Sequence, residues 1–480
     1  MSDTRQLLTR ISAFRDRLAQ VGHLVPGDDD PDANRVADAL MAAPGQIGHA
    51  LRLITPQPSG APPLPLTLRA RRLLEDARAL VHVQRNLAAD PALSAALAGD
   101  GDDAHALHHR DTVALTEAAL KLAQVFPAAA EAQLRACDGL EMLLQTVRDR
   151  LAVLRAAVLR RRVDTDRLDG LARRLADIHA GRMVDLTWFA DLAHALLDEA
   201  GQAAPLRFLT ADPDSTCSYI GGRETVAPAR FVAAHALTVA QVVARVVPHD
   251  YEWAGRGVTA VMAALVMDLG MVGIPVEVLS KAGPLSPADR RLVDAHPERG
   301  AEMIRAIYPD SDLVAAAVAA HHERPDGTGY PAAAVGDEIS SLARLLGVCD
   351  HYAGLCGERP HRPAADPRTA LTETLFAAEA GRVDRDFSEL LLHLSMFPVG
   401  AVVELSDGRV GVVVANHASR VNLRAAARPV VAVVADPDGN VLPRPDHIDL
   451  AAADRGSVVR ALPRAERSTL LARHYPELCG

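Results

Sequence analysis

His321-His322-Glu323-Arg324-Pro325-Asp326-Gly327-Thr328-Gly329-Tyr330-Pro331 is the stretch on which the reading of this chain turns. Two adjacent imidazoles leave an alanine-rich run, Ala315 to Ala320, that reads as a buried helix, and a Gly/Pro-rich turn follows at once. Paired histidines at a helix end suit a metal ion.

Outward from this anchor the pattern is helical. Apolar periodicity predicts helices over about 228–247, 256–270, 287–307, 311–322, 338–356, 367–380 and 386–395, separated by short turns. The third starts cleanly: Ser286-Pro287-Ala288-Asp289 puts a hydroxyl at the cap, proline at the first helical position and a carboxylate at the third. At Phe397-Pro398-Val399-Gly400 the pattern changes to Val-rich runs, 401–405, 409–415 and 430–435, broken by Asp407-Gly408 and Asp436-Pro437-Asp438-Gly439. Asp-Gly turns between such runs signal hairpins. A β unit of about 50 residues is marginal alone, so it is expected to pack on the helical block.

Toward the N-terminus, helices are expected at 5–24 and about 33–54, and the proline-rich 55–63 reads as a linker. Gly99 to Asp103 is a polar break, and His105, His108 and His109 beside it read as solvated linker. Leu140, Leu144, Val147, Leu151, Leu154 and Val158 recur at three- and four-residue steps, leaving Arg148, Arg150, Arg155 and Arg160 outside the stripe. Such a stripe serves either packing within its own domain or a dimer seam; about three heptads favour the former. The chain is thus divided into a helical regulatory or dimerisation region at 1–205, a helical core at 206–396, a small β module at 397–450 and a C-terminal tail at 451–480.

Aromatics are only 3% of the 480 residues, and alanine and leucine dominate, so helix should outweigh sheet. A net charge of −10 argues against a general nucleic-acid partner, so any phosphate site must be local. Lysine occurs only at Lys121 and Lys281. The five cysteines show no CxxC spacing, as in a reduced protein without thiolate zinc. The N-terminus lacks the apolar run of a signal peptide, and no stretch reads as a membrane span of about 18 apolar residues. A cytoplasmic location without membrane contact is the expectation.

The anchor resembles the signature of the HD-GYP family, a branch of the HD metal-dependent phosphohydrolases, whose pattern is HHE followed by DG(S/T)GYP. The resemblance implies a mainly α, all-helical HD core with metal ligands on separate helices. Lined up on the anchor, His235, Asp268, His296, His321, His322 and Asp350 stand at the metal-ligand positions, with Asp268 the bridging, catalytic carboxylate. His296-Pro297 followed by Gly300 matches the HPxxG segment, and 343–350 matches the helix of the last aspartate. Arg359 and Arg362 match the RPYR segment that binds substrate phosphates, although an Arg-Pro-His-Arg loop also reads as solvated surface. Tyr330 lies where the family places substrate and some protein-partner contacts.

The HD doublet itself is altered. Leu265-Val266-Met267-Asp268-Leu269-Gly270-Met271 carries Met267 where the ligating histidine belongs and Met271 in place of a phosphate-contacting lysine. Phe231 replaces a glutamate that some members use for a third metal, and Ala353 replaces an aspartate. A neutral, soft thioether is a poor ligand for the Fe or Mn that the family uses, with Zn or Ni as alternatives, so one or two divalent ions are expected. Two functions follow. One is a metal-dependent cyclic di-GMP phosphodiesterase with impaired turnover; the other is a non-catalytic module that binds nucleotide or protein, with a homodimer open in both.

Overall fold

The computed structural model describes residues 66–91, 104–124, 130–202, 206–209, 228–357, 364–394, 401–415, 428–452 and 456–462, with residues 93, 94, 211 and 397 besides and residue-level gaps in some side chains. The helices expected at 5–24 and 33–54 and the linker at 55–63 lie outside these residues.

Three helices come first: α1 (Leu66–Ala88), α2 (Ala104–Gln124) and α3 (Ala130–His179). The stripe from Leu140 to Val158 lies on α3, and every one of its six residues is buried. Leu73 and Ala77 of α1 and Ala119 of α2 pack against its first half, and Leu115 of α2 against its second. The seam is therefore occupied by the chain's own helices. Two expectations change here. The histidine segment is the start of α2 rather than a linker, with His109 buried. Arg150, placed outside the stripe from its spacing, is also buried, its Nε 3.2 Å from Thr112 Oγ1.

The end of α3 and α4 (Leu186–Gly201) join a single large core with the helices that follow. These are α5 (Ala229–Val246), α6 (Gly257–Val266), α7 (Val276–Leu279), α8 (Pro287–Asp294), α9 (His296–Ile307), α10 (Asp312–Ala320), α11 (Ser341–Cys356), α12 (Pro367–Glu379) and α13 (Arg385–Leu390). The helix expected over 287–307 is in fact two, α8 and α9. Pro297 has no N–H to continue the α8 ladder, so a new helix starts at His296. The Ser286 cap forms as expected, as a capping box with Asp289.

Contrary to the sequence reading, the segments Ala229–His249 and Ala254–Gly273 are long and apolar enough, by length and composition, to cross a membrane. Their most apolar windows are 78% and 61% buried inside the helical block, which accounts for the composition. These segments carry His235 and Asp268, so the chemistry begins in the most apolar part of the chain.

Five antiparallel strands follow: β1 (Val402–Leu405), β2 (Val410–Ala415), β3 (Val430–Ala435), β4 (Val441–Asp449) and β5 (Val458–Ala461), in the order β4-β3-β2-β1-β5. The last strand lies beyond the span of 397–450 drawn from the sequence and pairs Arg460 with Glu404. Its Val459 carbonyl accepts a 2.7 Å hydrogen bond from Arg368 of α12, and the same guanidinium lies over the Phe397 ring. The small sheet thus docks on the helical block.

Candidate metal centre

Four of the expected ligands meet in one place. Asp268 follows α6, His296 opens α9, and His321 and His322 follow α10; one ligand atom from each lies within 4.8 Å of all the others. His235 of α5 and Asp350 of α11 stand beside them. They pair with each other, Nε2 to Oδ1, at 2.7 Å, while His235 is 3.9 Å from Asp268 and His322 is 3.9 Å from Asp350.

The two most buried imidazoles are oriented by the same local device. His296 Nδ1 is 2.7 Å from the Val293 carbonyl and His321 Nδ1 is 2.6 Å from the Val318 carbonyl, each three residues back. A carbonyl only accepts, so both Nδ1 atoms carry a proton and donate it. In the neutral rings, the lone pairs then sit on Nε2. Those two Nε2 atoms are 3.3 Å apart, and lie 3.2 and 3.7 Å from Asp268 Oδ1. Two lone pairs and a carboxylate converging in a buried site need positive charge between them, a proton or a metal ion. A divalent metal meets that need, and metal-bound histidines commonly donate their other ring N–H to a backbone carbonyl. The donor set, three imidazoles and one carboxylate, fits such an ion.

Protons can take the same place. Burial pushes the Asp268 carboxyl up, but hydrogen bonds donated by His296 and His321 outweigh it and hold the group well below its ordinary range. Burial lowers His321, yet Asp268 prevails and raises it. For His322 burial and the neighbouring His321 act together, keeping it well below its usual value. Burial also works against ionised Asp350, and the hydrogen bond with His235 reverses that.

The cluster opens on a cavity of about 790 Å³, a size suited to an organic ligand of several rings. His235, Asp268, His296, His322 and Asp350 form its polar floor. Tyr330 lines it and stacks on His322, with ring centroids 4.8 Å apart. The tyrosine is held there by the turn. Glu323 accepts from Ala334 N at 3.0 Å, Tyr330 N donates to His322 O at 3.2 Å, and a Cβ on Gly329 would meet Arg324 N at 2.3 Å. Phe231, Met271 and Ala353 also line the cavity, so three of the four altered positions present apolar surface to it, and the fourth, Met267, is wholly buried. Arg359 and Arg362 lie outside the described residues.

Sequence reasoning missed four contributors, in two pairs. Phe208 and Leu209 form part of the wall, held by hydrogen bonds from Arg207 N to Gln241 Oε1 and Leu209 N to Thr238 Oγ1. Their only signal was two polar residues, Thr238 and Gln241, on an otherwise apolar α5 face. Lys281 and Arg290 also line the cavity. The scarcity of lysine was the signal for the first.

Residues 228–387 match the profile of the HD domain. This stretch is an HD domain. It contains Gly329-Tyr330-Pro331, the motif that carries the resemblance to the HD-GYP kind. Residues 402–470 match a KOW domain associated with HD domains. Among relatives, the chain is similar to the cyclic di-GMP phosphodiesterase PA4108 of Pseudomonas aeruginosa, 36% identical over 157 residues, which is 32% of this chain and 37% of that protein. It is also similar to the 3'3'-cGAMP-specific phosphodiesterase 3 of Vibrio cholerae, 40% identical over 102 residues, covering 21% of this chain and 22% of that one. The response regulator RpfG of Xanthomonas campestris, a cyclic di-GMP phosphodiesterase, is 36% identical over 123 residues, 25% of this chain and 32% of its own length. The chain thus covers well under half the length of each. The solved structure of Bd1817, an HD-GYP-like protein from Bdellovibrio bacteriovorus, aligns with a TM-score of 0.36 and 15% identity over 50% of this chain and 71% of its own.

Proposed function

We propose that this chain is a metal-dependent phosphodiester hydrolase acting on a cyclic dinucleotide, cyclic di-GMP first, with turnover lowered by Met267 and Met271. The observation that carries this reading is the pair of Nε2 atoms 3.3 Å apart, facing Asp268 Oδ1 where the cluster opens on the large cavity. Relatives named for cyclic di-GMP and 3'3'-cGAMP hydrolysis support the substrate class.

Asp268, His296, His321 and His322 would hold one divalent ion, Fe or Mn in preference to Zn or Ni; such an ion supplies Lewis-acid stabilisation of phosphate charge and a water of lowered pKa. The protein's own part is positional. The Val293 and Val318 carbonyls fix both imidazole tautomers, and Asp268 stays ionised inside the core. Tyr330 and the wall of Phe208 and Phe231 offer flat surface to bases, while Arg359 and Arg362 would clamp phosphates. His235 and Asp350 would complete a second, weaker site only by giving up their mutual 2.7 Å bond.

A second reading, a non-catalytic module that binds a nucleotide or a protein near Tyr330, is favoured by that same bond and by the apolar Phe231, Met271 and Ala353 in the wall. The deciding experiment measures product from cyclic di-GMP by anaerobically purified chain given Fe(II) or Mn(II), beside the Met267→His, Met271→Lys double variant. Hydrolysis by the natural chain that disappears in His321→Ala supports the enzyme. Turnover by the double variant alone establishes the non-catalytic reading.

A further inference from the structure

We infer that Lys281 is a substrate-phosphate contact of this cavity, supplying the cation that Met271 does not. The inference rests on the reading above, that the cavity takes a phosphoester.

Among the described residues lining the cavity, Lys281 and Arg290 are the arginine and lysine side chains present. Lys281 is one of two lysines in the whole chain. It follows α7 in the turn that leads to α8, and its Nζ donates to Asp289 Oδ2 at 2.8 Å. Asp289 is itself fixed, because the same oxygen accepts from Ser286 N at 3.2 Å in the capping box of α8. The ammonium is therefore tethered at the rim rather than free to swing. An ammonium has three donors, and the tether takes one. Two remain for phosphate oxygens, and 39% of the side chain is still exposed. Arg290, on α8, is anchored likewise, its Nε 2.9 and 3.1 Å from the two oxygens of Asp294.

Charge balance defines what a phosphoester would need here. Each cation is matched by one carboxylate, Asp289 or Asp294, so the rim is close to neutral when empty. The floor has two further carboxylates, Asp268 and Asp350. A dianionic ligand needs more positive contact than Met271 and Ala353 can give, and pre-placed Lys281 meets part of that need at little entropic cost.

The test is equilibrium dialysis of labelled cyclic di-GMP against the full chain, with chromatography of each sample to confirm that the ligand is intact. Losing a charge-assisted hydrogen bond to phosphate weakens binding by about tenfold or more. Lys281→Gln should show that loss, Lys281→Arg should stay within about threefold of the natural chain, and Lys121→Gln on α2 should not change. The salt dependence of binding should also flatten in Lys281→Gln, because a screened charge pair is lost. An unchanged unfolding midpoint in Lys281→Gln separates a contact from a structural role. Binding by Lys281→Gln within twofold of the natural chain overturns the inference while leaving the proposed function standing. No binding by the natural chain overturns both.

Discussion

Gly270→Ala is the substitution that interrogates the centre without touching a ligand. Gly270 sits in the turn that follows Asp268, and a Cβ there would lie 2.1 Å from the His296 carbonyl oxygen, 2.9 Å from its carbon and 3.0 Å from Gly300 N. Ordinary contact needs about 3.4 Å or more, so the turn and the start of α9 must part by roughly 1 Å, and both neighbours are backbone. Overpacking of this kind costs about 1–3 kcal/mol when side chains yield; backbone against backbone belongs at the upper end or above. For a domain of this size, about 3 kcal/mol lowers the unfolding midpoint by roughly 6–12 °C. The same shift opens the 3.2 Å approach of His296 to Asp268, so metal affinity should fall at least tenfold. Calorimetry with and without Mn(II) reads both effects. Gly283→Ala, which meets nothing within 4 Å, is the control. If Gly270→Ala unfolds within about 0.5 kcal/mol of the natural chain and binds metal equally, the close approach of these two segments is not what shapes the site.

Met267→His should raise metal content from one toward two ions per chain, read by elemental analysis, because it offers His235 and Asp350 a third partner. Leu144→Ala, at a wholly buried position where α1 and α3 meet, should cost about 2–5 kcal/mol in the N-terminal bundle, read by urea unfolding. His109 is held below its ordinary 6.5 by burial, which outweighs its hydrogen bond to the Gln84 backbone. The unfolded chain therefore binds the extra proton first, so this contribution to stability is lost as pH falls below about 6.5. Urea unfolding at pH 7.5 and 5.5 should show a shallower loss in His109→Gln than in the natural chain.

Much of the centre was legible because its ligands are polar residues in apolar runs. His235 interrupts α5 and Asp268 follows the apolar α6, and a buried charge there needs a partner. The His321-His322 turn carried the register for the rest. What the pattern did not show depends on three-dimensional approach. The split at His296 was hidden because Pro297 is equally at home inside a first turn, so one long helix and two short ones read alike. The β5 strand is four residues with two exposed side chains, too short and too polar for a period-2 signal. Segment 206–209 has no periodicity of its own and is placed by Gln241 and Thr238 from a distant helix. The cavity role of Lys281 followed only from where its turn lies, since lysine on a turn is ordinarily solvated. Arg359 and Arg362 keep the standing that the RPYR resemblance confers.

The most direct measurement is the metal content of the full chain after anaerobic loading with Mn(II) and dialysis, beside His321→Ala. The geometry predicts one tightly held ion per chain, lost in the variant, with the unfolding free energy of the natural chain raised by RT ln(1 + [L]/Kd), about 2.7 kcal/mol in Mn(II) at a hundredfold excess over Kd. A chain that retains no ion, or a His321→Ala variant that retains as much as the natural one, would contradict the assignment of Asp268, His296, His321 and His322 as a metal centre.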